Sequence, residues 1–123
     1  MPDTAKPIPP TIHGQKYISL TTFRKNGMAV STPVWFGEDT GKLYVMTRSV
    51  MGKTKRIRNN TQVRVAPCTI RGKVTGQEFA ASARILPLEE QSHARQTINR
   101  KYWLARLTSI FSRADAFLEL TIS

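Results

Sequence analysis

The chain has 123 residues, a net charge of +11 and a single cysteine, Cys68. A chain of this length forms one domain that buries roughly two-thirds of the surface its unfolded form exposes. One cysteine excludes an internal disulfide and any zinc site built from several cysteines. No stretch approaches the roughly 20 apolar residues of a membrane span, and no signal-peptide pattern precedes Lys16. We therefore expect a cytoplasmic protein without a membrane span.

The N-terminal 15 residues differ in composition from the rest of the chain. They hold four of the seven prolines, including Pro7, Pro9 and Pro10. Proline lacks a backbone N–H and restricts φ, which disfavours regular helices and central strands. We predict a proline-rich arm over residues 1–15, followed by one domain over residues 16–123.

Three strands are predicted in the first half of that domain, because β-branched and aromatic residues are enriched at Tyr17–Phe23, Met28–Phe36 and Lys42–Arg48. The first two are joined by Asn26-Gly27, a strong hairpin signal because both residues tolerate positive φ. The residues 37–41 between the second and third strands predict a second turn.

Two helices and three more strands complete the pattern. A short helix is predicted at Lys53–Asn59 and a longer helical region from Pro87 to about Ser112. The remaining strands are predicted at Gln62–Ile70, Glu78–Leu86 and Ala116–Ile122. Early strands joined by hairpins, without crossover helices, favour antiparallel pairing and a small barrel.

The segment Lys42–Thr75 contains no acidic residue and holds nine of the 19 Lys and Arg residues. Within it, Gly52-Lys53-Thr54 opens the short helix, and a helix N-terminus with a Lys, a hydroxyl and free amides favours a phosphate. The alternative is that these charges only solvate the helix. A nucleotide-hydrolase phosphate loop is excluded, because Thr47 stands where that motif requires glycine.

A proline also interrupts the second strand, in Ser31-Thr32-Pro33-Val34-Trp35. Proline removes a ladder donor, so this strand must lie at an edge or contain a bulge. Breaks of this kind expose backbone groups beside ligands. The alternative is a plain edge strand with a core tryptophan. His13 and His93 are isolated in the sequence and are predicted to be surface residues.

These residues together resemble the split-barrel flavin and deazaflavin proteins, the pyridoxamine-phosphate-oxidase-like superfamily, and within it the small F420-dependent members. The resemblance is carried by KYISLTTFRKNGMAVSTPVWF, KLYVMTRSVMGKTKRIRNNTQVRVAPC, RGKVTG and ASARIL. It implies a mainly β (α+β) fold: a six-stranded antiparallel split β-barrel with a short helix after the third strand and a longer C-terminal helical region. It also implies a homodimer with cofactor sites at the interface.

The resemblance further implies which residues bind the cofactor. Lys53 and Thr54 would hold its phosphate, with Lys55 close by. Ser31, Thr32, Pro33, Val34 and Trp35 would line the ring through backbone and side chain, and Met46, Thr47, Arg48 and Ser49 would continue that wall. No side chain is required as a catalytic acid, so none is predicted.

We therefore expect an oxidoreductase that transfers a hydride between bound F420 or FMN and an unidentified small organic acceptor. The cofactor carries the redox chemistry, while the protein orients it and excludes water. One alternative is a non-catalytic carrier of a flavin, haem or other tetrapyrrole on the same barrel, since apolar walls with a basic rim suit planar anions. A nucleic-acid-binding module is the least favoured, because the charge is not accompanied by any recognised motif.

Overall fold

A computed structural model describes residues 6–49, 51–101 and 115–123. It contains one antiparallel sheet of seven strands, curled into a half-barrel. In chain order the strands are β1 Tyr17–Phe23, β2 Ala29–Trp35, β3 Gly37–Asp39, β4 Lys42–Thr47, β5 Gln62–Pro67, β6 Phe79–Ile85 and β7 Ala116–Ile122. Helix α1 spans Gly52–Asn59, and α2 spans Gln91–Lys101 after a 3-10 turn at Leu88–Glu90.

The strands lie in the order β2-β1-β5-β6-β7-β4-β3, so β2 and β3 form the two edges of the sheet. This confirms the split-barrel fold class and the edge position of Pro33. The predicted continuation of the second helix to Ser112 lies outside the described residues. Among the helices of the described ranges, none has the length and apolar character needed to cross a bilayer.

The number of strands was predicted incorrectly, because residues 37–41 are not simply a turn. Gly37–Asp39 is a three-residue strand, β3, which pairs with β4 from Gly37↔Tyr44 to Asp39↔Lys42. Glycine and acidic residues are depleted in strands, so the local sequence gives no strand signal here. Pairing with β4 and packing against α2 form the strand instead. An added Cβ on Gly37 would lie 3.1 Å from the carbonyl oxygen of Thr97, which shows how closely α2 approaches.

The first hairpin also differs from its predicted geometry. Gly27 has φ 88°, but Asn26 is not among the residues with positive φ. The amide of Gly27 donates to the carbonyl of Arg24 at 2.8 Å, and the amide of Arg24 donates to the carbonyl of Met28 at 2.9 Å. This is a three-residue loop in which a tight turn is followed by a left-handed glycine. Only the glycine needs the conformational freedom that the sequence offers at both positions.

Two apolar clusters lie on opposite faces of the curled sheet. The inner cluster fills the half-barrel, and Ile57 of α1 and Ile12 of the arm belong to it. The outer cluster lies under α2 and consists of Tyr44, Leu86, Ala94, Ile98 and Phe117. Helix α1 thus closes one end of the half-barrel, while α2 covers part of its outer face.

The described part of the predicted arm, residues 6–15, packs against the barrel. Ile12 is fully buried, and the amide of Lys6 donates to the carbonyl of Ile122 at 2.9 Å. The carboxylate of Glu38 accepts hydrogen bonds from Nδ1 of His13 at 2.7 Å and from the amide of Gly14 at 2.8 Å. The boundary at residue 15 stays a prediction, but residues 6–15 contribute directly to the core.

The β3–β4 turn holds a strained residue. Thr40 has φ 51°, and no other non-glycine residue in the described ranges has a positive φ. Thr40 and Gly41 form a two-residue loop that requires positive φ at both positions, which a β-branched side chain adopts at a cost. We expect Thr40→Asn to raise the free energy of unfolding by about 1 kcal/mol, because asparagine tolerates this region. Urea denaturation measures the change. Thr40→Ala is the control, and its unfolding free energy should rise less. An equal rise in both variants would mean that the positive φ of residue 40 is not the cause.

Lys101 provides a second prediction. Its ammonium lies 3.7 Å from the centroid of the Phe36 ring and donates to the carbonyl of Gln15. Burial lowers the pKa of Lys101 to about 8, against a smaller opposing effect of Glu38. The unfolded chain therefore binds this proton more tightly than the folded chain, so stability should rise as the pH increases from about 8 towards the ordinary lysine value.

Replacement of Lys101 by methionine should remove the part of the pH-dependent rise in unfolding free energy that is due to Lys101. That part is about 1–2 kcal/mol after allowance for solvent screening. The measurement is the difference in unfolding free energy between wild type and Lys101→Met at several alkaline pH values. A difference that does not change with pH would contradict the assigned cause.

Candidate functional site

The predicted ring-binding segment of β2 is divided between the two faces of the sheet. Side chains alternate along a strand, and Val34 belongs to the inner cluster. Thr32 therefore faces inward as well, whereas Ser31, Pro33 and Trp35 face outward. A planar ligand on the outer face can contact only these last three side chains.

The β1 residues in phase with these three point to the same side of the sheet, but Ser19 and Thr21 are buried, with 5% and 4% of their surface exposed. The β1–β2 register places Tyr17 opposite Trp35, Ser19 opposite Pro33 and Thr21 opposite Ser31. We call these six outward residues, Tyr17, Ser19, Thr21, Ser31, Pro33 and Trp35, the platform. Its two ends differ chemically and are about 13 Å apart, four strand residues.

The aromatic end of the platform consists of Tyr17 and Trp35, whose ring centroids are 6.2 Å apart at an interplanar angle of 55°. The polar end is a hydroxyl pair, in which Oγ1 of Thr21 and Oγ of Ser31 are 2.6 Å apart. Sequence reasoning missed Tyr17, Ser19 and Thr21. The signal was available, because these residues are in phase with Ser31, Pro33 and Trp35 once the hairpin register is known.

Thr32 is the exception on β2. Its Oγ1 is buried and has no hydrogen-bond partner in the described part of the chain. A buried hydroxyl without a partner costs about 1–3 kcal/mol, so such atoms in native proteins call for an explanation such as a water or a ligand. Its predicted contact with the cofactor ring remains a prediction.

The second predicted wall segment is likewise divided. Met46 packs against the outer cluster, as Trp35 does, so the structure brings these two predicted residues to one apolar surface. Thr47 is buried and pairs with Ala116. Arg48 is exposed, and its carbonyl accepts a hydrogen bond from the Thr54 hydroxyl at 3.0 Å.

Ser49 is engaged with Asp115. Its amide donates to Oδ1 of Asp115 at 2.6 Å, and its hydroxyl donates to Oδ2 at 2.8 Å. The Ser49 amide, and then its hydroxyl, lower the pKa of the Asp115 carboxyl below its ordinary value. Ser49 thus ties the loop before α1 to the start of β7 in this structure.

The predicted phosphate site lies at the start of α1. The first turn has no acidic residue, and the N-cap residue, Met51, makes no side-chain capping bond. Lys53 is half-buried and Lys55 is exposed. Thr54 is fully buried, and its hydroxyl donates to Arg48. Of the three predicted phosphate ligands, the two lysines are accessible, while the Thr54 hydroxyl already serves the fold.

Two arginines that were not predicted belong to the same region: Arg56 lies near Lys53, and Arg24 lies near Arg56. Nε of Arg56 donates to Oγ1 of Thr22 at 2.6 Å. An added Cβ on Gly52 would lie 2.7 Å from a terminal nitrogen of Arg56, so this guanidinium lies over the first residue of the helix. Burial, and then Arg24, lower the pKa of Arg56. We call Arg24, Lys53 and Arg56 the cationic cluster.

The cationic cluster is electrostatically unfavourable as it stands. Burial, and then the neighbouring charge of Arg56, lower the pKa of Lys53. Among the salt bridges between described residues, none involves Arg24, Lys53, Arg56 or the other basic residues of α1. An anion bound here would relieve this repulsion and complement the positive end of the helix dipole.

The cationic cluster and the hydroxyl pair of the platform lie at the same end of β1. Thr22, which holds Arg56, follows Thr21 of the platform hydroxyl pair. Because neighbouring residues of a strand point to opposite faces, Thr21 lies on the outer face and Thr22 on the inner face, so the platform and the cationic cluster share one end of β1 but not one face. A ligand that contacts both must therefore extend around that end of the strand.

A scan of the sequence against protein-family models finds no match. A search of the curated proteins also finds none. Solved structures do match. A FAD-binding protein from Mesorhizobium loti has a TM-score of 0.66 at 15% identity, with 92% of this chain and 85% of that chain covered.

The names of two other matching structures specify different ligands. An F420-H2 dependent reductase has a TM-score of 0.60 at 18% identity, covering 86% of this chain and 93% of the other. HutZ, a haem storage protein from Vibrio cholerae, has a TM-score of 0.65 at 14% identity, covering 89% and 82%. Two further matches are longer proteins, and this chain spans 48% of the length of each. The chain therefore has the split-barrel fold of the flavin and deazaflavin oxidoreductases, a fold that haem-binding proteins share.

Proposed function

We propose that the protein binds F420 or FMN and transfers a hydride between that cofactor and a small organic acceptor. One observation carries the proposal: the unneutralised cationic cluster at the start of α1 lies at the same end of β1 as the hydroxyl pair of the platform. A flavin or deazaflavin joins a flat tricyclic ring to a phosphate, which matches that pair of features. Solved proteins of this fold whose names specify a flavin or F420 support it.

In this proposal the ring lies along the platform, with Ser31, Pro33 and Trp35 as its contacts on β2. Lys53 and Arg56 hold the phosphate at the start of α1, with Lys55 close by. When bound, the cofactor supplies the hydride chemistry. The chain itself orients the ring, neutralises the phosphate and excludes water from one face. We propose that a second copy of the chain covers the other face, so that the protein works as a cytoplasmic homodimer.

A non-catalytic tetrapyrrole carrier is the competing proposal, because haem-binding proteins share the fold. Both histidines of the chain, the usual neutral haem ligands, hold carboxylates of β3 in this structure: His13 holds Glu38 at 2.7 Å, and His93 holds Asp39 at 2.9 Å. This favours the flavin or deazaflavin over haem.

Direct titration of the purified protein tests the proposal. We expect micromolar or tighter binding of F420 or FMN, measured by the change in cofactor fluorescence, and weaker binding of riboflavin, which lacks the phosphate. Haem is titrated in parallel by absorbance. Binding of haem alone, or of none of these ligands, would contradict the proposed function.

The phosphate site makes a sharper prediction. Lys53→Ala should remove a charge-assisted contact worth about 1.5–3 kcal/mol, which is a roughly tenfold to 150-fold loss of cofactor affinity. Affinity for riboflavin should change little, since the lost contact is to the phosphate. Fluorescence titration of both ligands measures the difference.

Lys42→Ala is the matched control for net charge. Lys42 begins β4, at the opposite end of that strand from α1, and pairs with Glu119 at 3.3 Å. Thermal denaturation should accompany the titrations, because this variant loses an ion pair of the sheet. Equal losses of FMN affinity in both variants would mean that the positive charge acts only as a diffuse field.

A further inference from the structure

A cleft lies between the β1–β2 turn and the end of α1. It has a volume of about 330 Å³ and is lined by Phe23, Arg24, Lys25, Asn59 and Asn60. Two local features form it. The three-residue loop turns at Gly27 and leaves Arg24 and Lys25 on its wall, and α1 ends at Asn59. The proposed phosphate position, in contrast, lies at the beginning of that helix.

The cleft is rich in hydrogen-bond donors. Oδ1 of Asn60 accepts from the amide of Gln62 at 3.0 Å, which leaves the two N–H groups of its side-chain amide for another partner. Nδ2 of Asn59 donates to the carbonyl of Lys55 at 3.2 Å, which leaves its side-chain oxygen. Arg24 and Lys25 add only donors. One side-chain acceptor among many donors is the complement of an oxyanion.

Charge supports the same conclusion. Neither Arg24 nor Lys25 takes part in a salt bridge of the described residues. The C-terminal end of a helix carries a partial charge of about −0.5, which opposes an anion. Two full positive charges outweigh it. Arg24 also lowers the pKa of Arg56, so an anion beside Arg24 would relieve repulsion within the cationic cluster.

We infer that this cleft is a second anion site, one that binds a carboxylate-bearing group next to Arg24, Lys25 and Asn60. Arg24 and Lys25 are both exposed, and two neighbouring cations suit a group with two carboxylates better than a single monovalent ion. The group could be a free dicarboxylate. It could also be an acidic extension of a cofactor whose phosphate lies at α1, and this second source rests on the proposed function.

Titration with glutarate, a plain dicarboxylate, tests the site without any cofactor. Heteronuclear NMR at constant ionic strength follows the side-chain amide signals of Asn59 and Asn60. We expect saturable shifts of these signals and at least a tenfold weaker affinity in Arg24→Ala and in Lys25→Ala. Lys53→Ala and Lys42→Ala should bind glutarate as the wild type does. Absent shifts, or equal weakening in all four variants, would overturn the site.

A second arm separates the two sources. F420, whose side chain ends in glutamyl carboxylates, and FMN, which has none, are titrated against the wild type and Arg24→Ala. Loss of F420 affinity exceeding the loss of FMN affinity at least fivefold assigns the cleft to a cofactor extension. Equal small losses, with glutarate binding retained, assign it to a free carboxylate. If glutarate fails while Lys53→Ala still weakens FMN, the cleft is wrong and the proposed function stands.

Discussion

The register of the β1–β2 hairpin determines most of what the outer surface can do. Pairing of Thr21 with Ser31 puts every second residue of the two strands on the same side of the sheet. A slip of β2 by one residue would turn Val34 outward, away from Ile18, and turn Pro33 inward. The inner cluster resists such a slip, because both apolar side chains are almost completely buried. The hydroxyl pair and the aromatic pair are therefore consequences of core packing several ångströms away.

Two regions of the molecule differ in whether their charged side chains have partners of opposite charge. On the outer face near β7, Glu119 accepts hydrogen bonds from Lys42, Tyr44 and Arg84 across three neighbouring strands. Burial, followed by the charge of Glu119, raises the pKa of Tyr44, which keeps its hydroxyl a donor. Around α1 the positive charges have no such acidic partners within the described ranges. The charges near Glu119 are paired within the fold, while the positive charges around α1 are complementary to an anion from outside the chain.

Much of the fold could be predicted from the sequence because its signals are local. β-Branched runs, the Arg24–Gly27 turn and the Asn59-Asn60 stop each act over a few residues, and the strands and helix α1 follow them closely. The strand β3 gave no local signal, since glycine and acidic residues form it only through contact with β4 and α2. Arg56 was visible in the sequence as a charge, but its contact with Thr22, 34 residues earlier, is a product of the tertiary fold.

For the site, the segments singled out in the sequence remain predictions, and the structure adds the directions of their side chains. Side chains alternate along a strand, so only part of the Ser31–Trp35 segment can face one surface with its side chains, and the rest could contact a ring there only through the backbone. The buried hydroxyl of Thr54 illustrates the same limit: a Gly-Lys-Thr helix start suggests a ligand, yet Thr54 satisfies the carbonyl of Arg48. Only the fold decides whether a hydroxyl serves the chain or a ligand.

The two edges of the sheet are also protected against unwanted strand addition, by different means. At β2, Pro33 cannot donate a ladder hydrogen bond, which interrupts any strand that tries to pair along that edge. At β3 the edge is only three residues long, and α2 lies against it at Gly37. A half-barrel, unlike a closed barrel, retains two edges that could recruit other chains into an aggregate. Here a single imino acid at one edge and a short acidic strand at the other oppose the strand addition that closure of the barrel would otherwise prevent.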